Sequence, residues 1–272
     1  MLRNIALRRR EFLSLLGLGL WWASDLSASG PGRALAESRP VVPMPPTIML
    51  HSRHARLLPR LIDALAAEGY EGVTFRDLEY TLCQDASLPP KAVMLTIDDL
   101  SMVRGNPSFE TFRGMKDALV ERGWRGVFGV ITGPHLPQNE VWWDEVAVWG
   151  EQGIELATHT AYHSNLNDPA LTAEDFEAEI VGSAQTICQR TGQPVHALVT
   201  PFGSGYNRTT GALHPLICAM CQQARIRFVS GIVEGHGPLP ASVGDSDVIY
   251  TGRVPPGIDG TLESTLFEVH HW

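Results

Sequence analysis

From residue 47 onward, short apolar runs alternate with longer stretches in which apolar positions recur every three or four residues. The short runs read as strands. They are Thr47–His51, Ala92–Asp98, Val127–Ile131, Ile154–His159, Ala197–Phe202, Phe228–Val233 and Val248–Val254. The run Ala92–Asp98 (AVMLTID) is almost wholly apolar, as expected of a strand covered on both faces. Between the strands, helical periodicity predicts a helix entered at Pro59 with Leu61, Leu65 and Ala66 on one face. Further helices are predicted over 107–122 (stopped by Gly123), 143–152, 172–191, 211–224 and 261–269. The 172–191 segment opens with Thr172-x-x-Asp175, close to a capping box. Regular alternation of strand and helix predicts a single parallel α/β domain. Seven or eight such units suit closure into a barrel, and the chain has no GxGxxG or Walker sequence to suggest an open nucleotide fold.

Residues 1–36 follow a different pattern. Arg8-Arg9-Arg10-Glu11-Phe12-Leu13 contains a twin-arginine export signature, an apolar run follows from Leu13 to Ala23, and Ala34-Leu35-Ala36 offers a small-x-small cleavage site. The apolar run is shorter than the roughly 20 residues needed to cross a bilayer. The expectation is an export leader over 1–36 and a catalytic domain over 37–272, with no transmembrane span in the mature chain. That places the protein in the periplasm or outside the cell.

The 272-residue chain is 44% hydrophobic and 19% charged, which excludes disordered, collagen-like and coiled-coil classes. Removing the leader takes away five basic and two acidic residues and moves the formal net charge from −9 to −12. So acidic a surface repels phosphate backbones and argues against a nucleic-acid partner. Four cysteines, Cys83, Cys188, Cys218 and Cys221, are compatible with small buried residues or a local disulfide. One CxxC without a second indicates no metal site.

Reactive side chains gather at predicted strand ends, where parallel α/β folds place their chemistry. Thr96-Ile97-Asp98-Asp99 ends one strand with two carboxylates that must be aimed differently. Thr158-His159-Thr160-Ala161-Tyr162-His163 ends another, and its two histidines converge if a helical turn separates them. Two imidazoles and one carboxylate form a three-ligand set that leaves room for water on a catalytic metal. Thr200-Pro201-Phe202-Gly203 ends a third strand and reads on its own only as a turn.

In this order, Thr-x-Asp-Asp, then Trp143…Gly153-x-Glu155-Leu156-x-Thr158-His159-Thr160-x-x-His163-x-x-Leu166, then Thr200-Pro201-Phe202-Gly203, the chain resembles the polysaccharide deacetylases of carbohydrate esterase family four. Pro89–Asp99 is most similar to the exported poly-N-acetylglucosamine deacetylase branch, and the likeness runs from about residue 47 to 255. The resemblance implies a distorted (β/α) barrel of about seven parallel strands and one divalent metal on Asp99, His159 and His163. Zinc is the default ion, with cobalt, nickel or iron as substitutes. It further implies Asp98 as general base, and Pro201, Phe202 and Gly203 as the lining of the oxyanion and substrate site. The general acid falls to His270 or to His51. The expected substrate is an acetylated amino-sugar polymer or oligomer, cut at a carbon–nitrogen bond by metal-activated water.

The family commonly has glycine where this chain has Leu100, which predicts a narrowed cleft, and arginine where it has Val199, which leaves Asp98 without a cationic partner. These departures keep two alternatives open: an amidase for a small or cyclic amide, and an inactive carbohydrate-binding relative. Trp142, Trp143, Trp149 and Tyr206 could stack on sugars, although Trp143 is expected in the core. His54, His135, His196, His214, His236 and His271 are expected in surface or capping roles.

Overall fold

The structure, a computed structural model, describes residues 42–84, 86–102, 108–133, 140–232, 247–257 and 259–272. The export leader, His135 and His236 lie outside the described residues. In chain order the elements are β1 (Thr47–Leu50), α1 (Leu58–Ala67), β2 (Glu71–Val73), α2 (Phe75–Gln84), β3 (Ala92–Ser101), α3 (Phe109–Val120), β4 (Gly126–Ile131), α4 (Glu140–Ala147) and β5 (Ile154–Thr158). They continue with α5 (Ala173–Phe176), a π-helical turn (Glu177–Gly182), α6 (Ser183–Thr191), β6 (Ala197–Val199), β7 (Tyr206–Asn207), β8 (Ala212–Leu213), α7 (Pro215–Ala224), β9 (Phe228–Gly231), β10 (Ile249–Gly252) and α8 (Leu262–His270).

Seven parallel strands pair in the order β1-β3-β4-β5-β6-β9-β10, and β2 adds to the start of β3. Beyond β10, Val254 bridges Ile48 in parallel: Met49 N–H donates to Val254 O at 2.9 Å and Val254 N–H to Thr47 O at 3.0 Å. The result is a nearly closed, distorted barrel.

Period-two alternation sorts the strand residues into two cores. Val93, Leu95 and Ile97 of β3, with Ile154 and Leu156 of β5, pack outward among the helices. Met94, Val127, Ala157, Ala197, Val199, Phe228 and Ile249 form the inner cluster, joined by Phe75, Leu78 and Leu82 of α2. The same alternation that sends Met94 inward also sends Thr96 and Asp98 inward, and carries Ala157 and then His159 in the same direction.

Several boundaries differ from the sequence expectations. Residues 211–214 belong to the β7–β8 hairpin and its exit, so α7 begins only at Pro215. Both β2 and α2 carry apolar patterns too short or too mixed to stand out. Trp142, Trp143 and Trp149 serve packing: Trp143 and Trp149 are buried, and Trp142 stacks on Phe109 at 4.9 Å. All four cysteines are free thiols, with Cys221 buried in α7. No helix among the described residues is long and apolar enough to cross a membrane.

Trp149 meets Phe128 edge-on at 5.3 Å and Phe109 at 6.1 Å, pinning β4 to the helical layer. Trp149→Ala is expected to cost about 3–5 kcal/mol of unfolding free energy, measured by denaturant titration.

Candidate metal centre

The site begins with a register slip. Ile97 of β3 pairs with Phe128 of β4, whereas Leu100 pairs with Val130, so three steps on β3 match two on β4. The extra residue is a β-bulge at Asp98–Asp99. Asp98 keeps its inward direction and is buried, while Asp99 takes φ 70° and turns toward the rim. Two adjacent carboxylates thereby serve one face of the barrel from different depths. Leu100 resumes the alternation and is fully buried in the outer core, so the expected narrowing of the cleft does not occur.

At the end of β5 the expected helical turn between the histidines is also replaced. Residues 159–163 form an irregular bend in which Thr160 (φ 65°) and His163 (φ 59°) are left-handed. For residues other than glycine this backbone costs about 1–2 kcal/mol each. It brings the two imidazoles edge to face with centroids 4.8 Å apart. Both Nε2 atoms converge on Asp99 Oδ1, at 3.3 Å from His159 and 3.2 Å from His163.

On the far side of its ring, His159 Nδ1 lies 2.7 Å from the Val199 carbonyl oxygen. That partner makes Nδ1 the protonated nitrogen and leaves the Nε2 lone pair free to ligate. Burial opposes ionisation of Asp99, but its close contacts with the His159 and His163 imidazoles outweigh it and hold the carboxyl well below the usual carboxylate range. One ligand atom from each of the three residues lies within 4.8 Å of the others. Two imidazole nitrogens and one carboxylate oxygen fit a divalent ion such as zinc.

Asp98 does have a cationic partner, contrary to the sequence expectation. Arg253, just past β10, is fully buried; its Nη1 donates to Asp98 Oδ1 at 2.8 Å, to Oδ2 at 2.9 Å and to Thr96 Oγ1 at 2.9 Å. The sequence carried one signal for it. Ile249, Thr251 and Arg253 share the inward parity of their strand, so a lone arginine there enters the barrel among side chains that need a charge.

The two histidine candidates separate clearly. His51, at the carboxyl end of β1, places Nε2 3.9 Å from Asp99 Oδ2. Burial pushes its imidazole below the usual range, against the opposing pull of Asp98 and Asp99. His270 lies instead near the amino-terminal ends of β2 and β3: its Nε2 is 2.6 Å from Glu68 Oε2, and its ring neighbours Tyr70, next to the start of β2. The structure does not bring His270 to the centre.

Pro201–Gly203 form a short 3₁₀ turn above β6. Phe202 is left-handed (φ 58°) and exposed, with its ring edge-on to His163 at 4.7 Å. Gly203 also has positive φ, and a Cβ there would lie 2.8 Å from Ile232 Cβ, so the turn requires glycine. Tyr206 stacks on Tyr250 at 3.9 Å. Of the remaining histidines, His214 caps α7 and stacks on Phe176, His196 pairs with Glu79, His54 accepts from His51 N–H, and His271 meets the Phe267 carbonyl.

A family model described as polysaccharide deacetylase matches residues 85–215. A comparison with curated proteins returns no match. Among solved structures, the chain is similar to the Streptococcus pyogenes deacetylase PplD in complex with acetate (16% identity over 84% of this chain and 99% of that one, TM-score 0.63). It is also similar to IcaB from Ammonifex degensii (18% identity, 84% and 99% covered, TM-score 0.57) and to a de-N-acetylase from Aggregatibacter actinomycetemcomitans (17% identity, 77% and 93% covered, TM-score 0.54). At these identities the structural likeness concerns the fold.

Removing one partner of a buried ion pair strands the other. Arg253→Met is expected to destabilise the protein by about 3–5 kcal/mol, and pairing it with Asp98→Asn should recover most of that loss in denaturant titrations.

Proposed function

The chain belongs to the polysaccharide deacetylase family, and we propose that it is a metal-dependent hydrolase that removes N-acetyl groups from an amino-sugar polysaccharide or oligosaccharide. The observation that carries this reading is the convergence of His159 and His163 on Asp99, beside a second carboxylate, Asp98, fixed by a buried arginine. The S. pyogenes deacetylase of similar fold was solved with acetate, the product this reaction would release. The Arg8-Arg9 leader supports export by the twin-arginine route, with the polymer met in the periplasm or beyond.

In this proposal His159 Nε2, His163 Nε2 and an Asp99 carboxylate oxygen hold the ion, with zinc as the first choice. When bound, the ion supplies a Lewis acid that activates water and polarises the acetamide carbonyl. Asp98 accepts the proton released by the attacking water at a carboxylate oxygen. Arg253 Nη1, shared with Thr96 Oγ1, keeps that carboxylate in one orientation, so no rotamer search precedes the transfer. The backbone around Phe202, in a left-handed turn beside His163, would help line the site of the developing oxyanion. A protonated group must then supply a proton to the leaving nitrogen, yielding acetate and a free amine, and of the two histidine candidates only His51 reaches the centre. Phe202 and Gly203 shape the entrance beside His163.

The test is acetate release from β-linked N-acetylglucosamine oligomers by the zinc-loaded mature protein. Asp98→Asn should lower turnover by about 10²–10⁴-fold while zinc affinity, read by titration of the metal-stripped protein, stays near that of the parent. His159→Ala should abolish tight one-to-one zinc binding. Loss of zinc binding in Asp98→Asn as well would contradict the division of labour between the two aspartates.

A further inference from the structure

The bend that carries both histidines has no regular secondary structure of its own, and two of its residues sit in left-handed backbone. Such a segment keeps one shape only if neighbours over-determine it. The neighbour is the π-helical turn Glu177–Gly182, an interruption within the helical run from Ala173 to Thr191. Single π turns disturb the regular hydrogen-bond ladder and are common at functional sites.

Glu179, in the middle of that turn, is almost completely buried. It grips the bend with three groups. Its carbonyl oxygen accepts the Ala161 N–H at 3.1 Å, and its Oε2 accepts the Tyr162 N–H at 2.9 Å. Its Oε1 accepts the Ser164 hydroxyl. The contacts bracket His163, on the residues immediately before and after it. One turn later, Ser183 Oγ lies 2.7 Å from Thr158 Oγ1, which in turn accepts the Thr160 N–H at 3.1 Å. A carboxylate is the side chain suited to this place, because it is acceptor-only and has two oxygens for two donors that point the same way. Glu179 is not one of the three converging residues, and it plays no part in the proton transfers above.

We propose that Glu179 is a positioning residue for the metal centre: it locks the Ala161–Ser164 segment so that His163 Nε2 is held on Asp99 before the ion arrives. The inference rests on the reading of Asp99, His159 and His163 as metal ligands and deepens it. The carboxylate reaches the ion through the backbone of the bend. Removing it therefore changes how well the ligands are pre-arranged and leaves their chemical identity intact.

Two variants separate this role from simple support of the fold. Glu179→Leu has similar bulk and strands both donors. Glu179→Gln keeps an oxygen for the Tyr162 N–H and can turn its amide N–H toward Ser164 Oγ. The metal-stripped parent and both variants are titrated with zinc, with denaturant unfolding of the stripped proteins alongside and visible spectra of their cobalt(II) forms. The expected result is zinc affinity weakened by about 10–100-fold in Glu179→Leu with an altered cobalt spectrum, and affinity and spectrum close to the parent in Glu179→Gln. A folded Glu179→Leu protein with parental zinc affinity and cobalt spectrum overturns the proposal, whatever its unfolding midpoint. If Glu179→Leu does not fold, Ser164→Ala removes one of the gripped donors and leaves the carboxylate in place. A measurable loss of zinc affinity there supports the proposal, and unchanged affinity overturns it. A parent protein that binds no zinc removes the metal reading itself and this inference with it, a result distinct from a parent that binds zinc and a leucine variant that binds it equally well.

Discussion

Three residue steps on β3 span what two steps span on β4, and the mouth of the barrel is organised around that mismatch. A regular strand would send Asp98 inward and Asp99 outward into the helical layer, where a carboxylate has no partner. The bulge leaves Asp98 inside, lifts Asp99 to the rim through a left-handed backbone, and returns Leu100 to the outer core. The imidazoles of His159 and His163 and the nitrogen of His51 gather around the Asp99 carboxylate that this shift exposes, and the Phe202 ring packs edge-on to His163. The local conformations are costly for residues other than glycine. Asp99, Thr160, His163 and Phe202 account for four of the five such positions among the described residues, and all four are at the centre. Strain is concentrated where the chemistry is proposed and is scarce elsewhere.

The rest of the barrel supplies the rigidity that tolerates this. Inner and outer cores share the strands, and the inner one is plugged by α2 with Phe75 against Phe228 at 5.5 Å. Backbone groups of one strand also fix side chains of another: the carbonyl of Val199 on β6 sets the tautomer of His159 from β5. A position that looked like a deficit in the sequence, a valine in place of an arginine, contributes through its main chain, which any residue provides.

Much of the fold was legible in the sequence because its determinants are local. The apolar run Ala92–Asp98, the Thr172-x-x-Asp175 cap and the alternation of short and long apolar segments follow from periodicity and capping alone. The ligand residues were legible as residue types at strand ends. What escaped was non-local. Arg253 reaches Asp98 across 155 positions, and no spacing rule connects them. The bend between the histidines is left-handed although His-x-x-x-His has helical spacing, because the bonds that shape it come from a separate segment. The β7–β8 hairpin was hidden by strands of two residues each, below the length at which a period can be counted. His270 was a plausible acid by residue type, and only the direction of α8 places it at the wrong end of the strands.

The pairing of Arg253 with Asp98 also ties the proposed base to closure of the barrel. Arg253 is next to Val254, whose backbone bridges β1 and brings the last strand of the barrel round to the first. The partner of the proposed base therefore arrives with the element that completes the sheet. A sheet left open between its last strand and its first would leave Asp98 facing the interior without that cation. Turnover, which the proposal assigns to Asp98, would then report closure of the whole barrel as well as the gathering of the three metal-facing side chains.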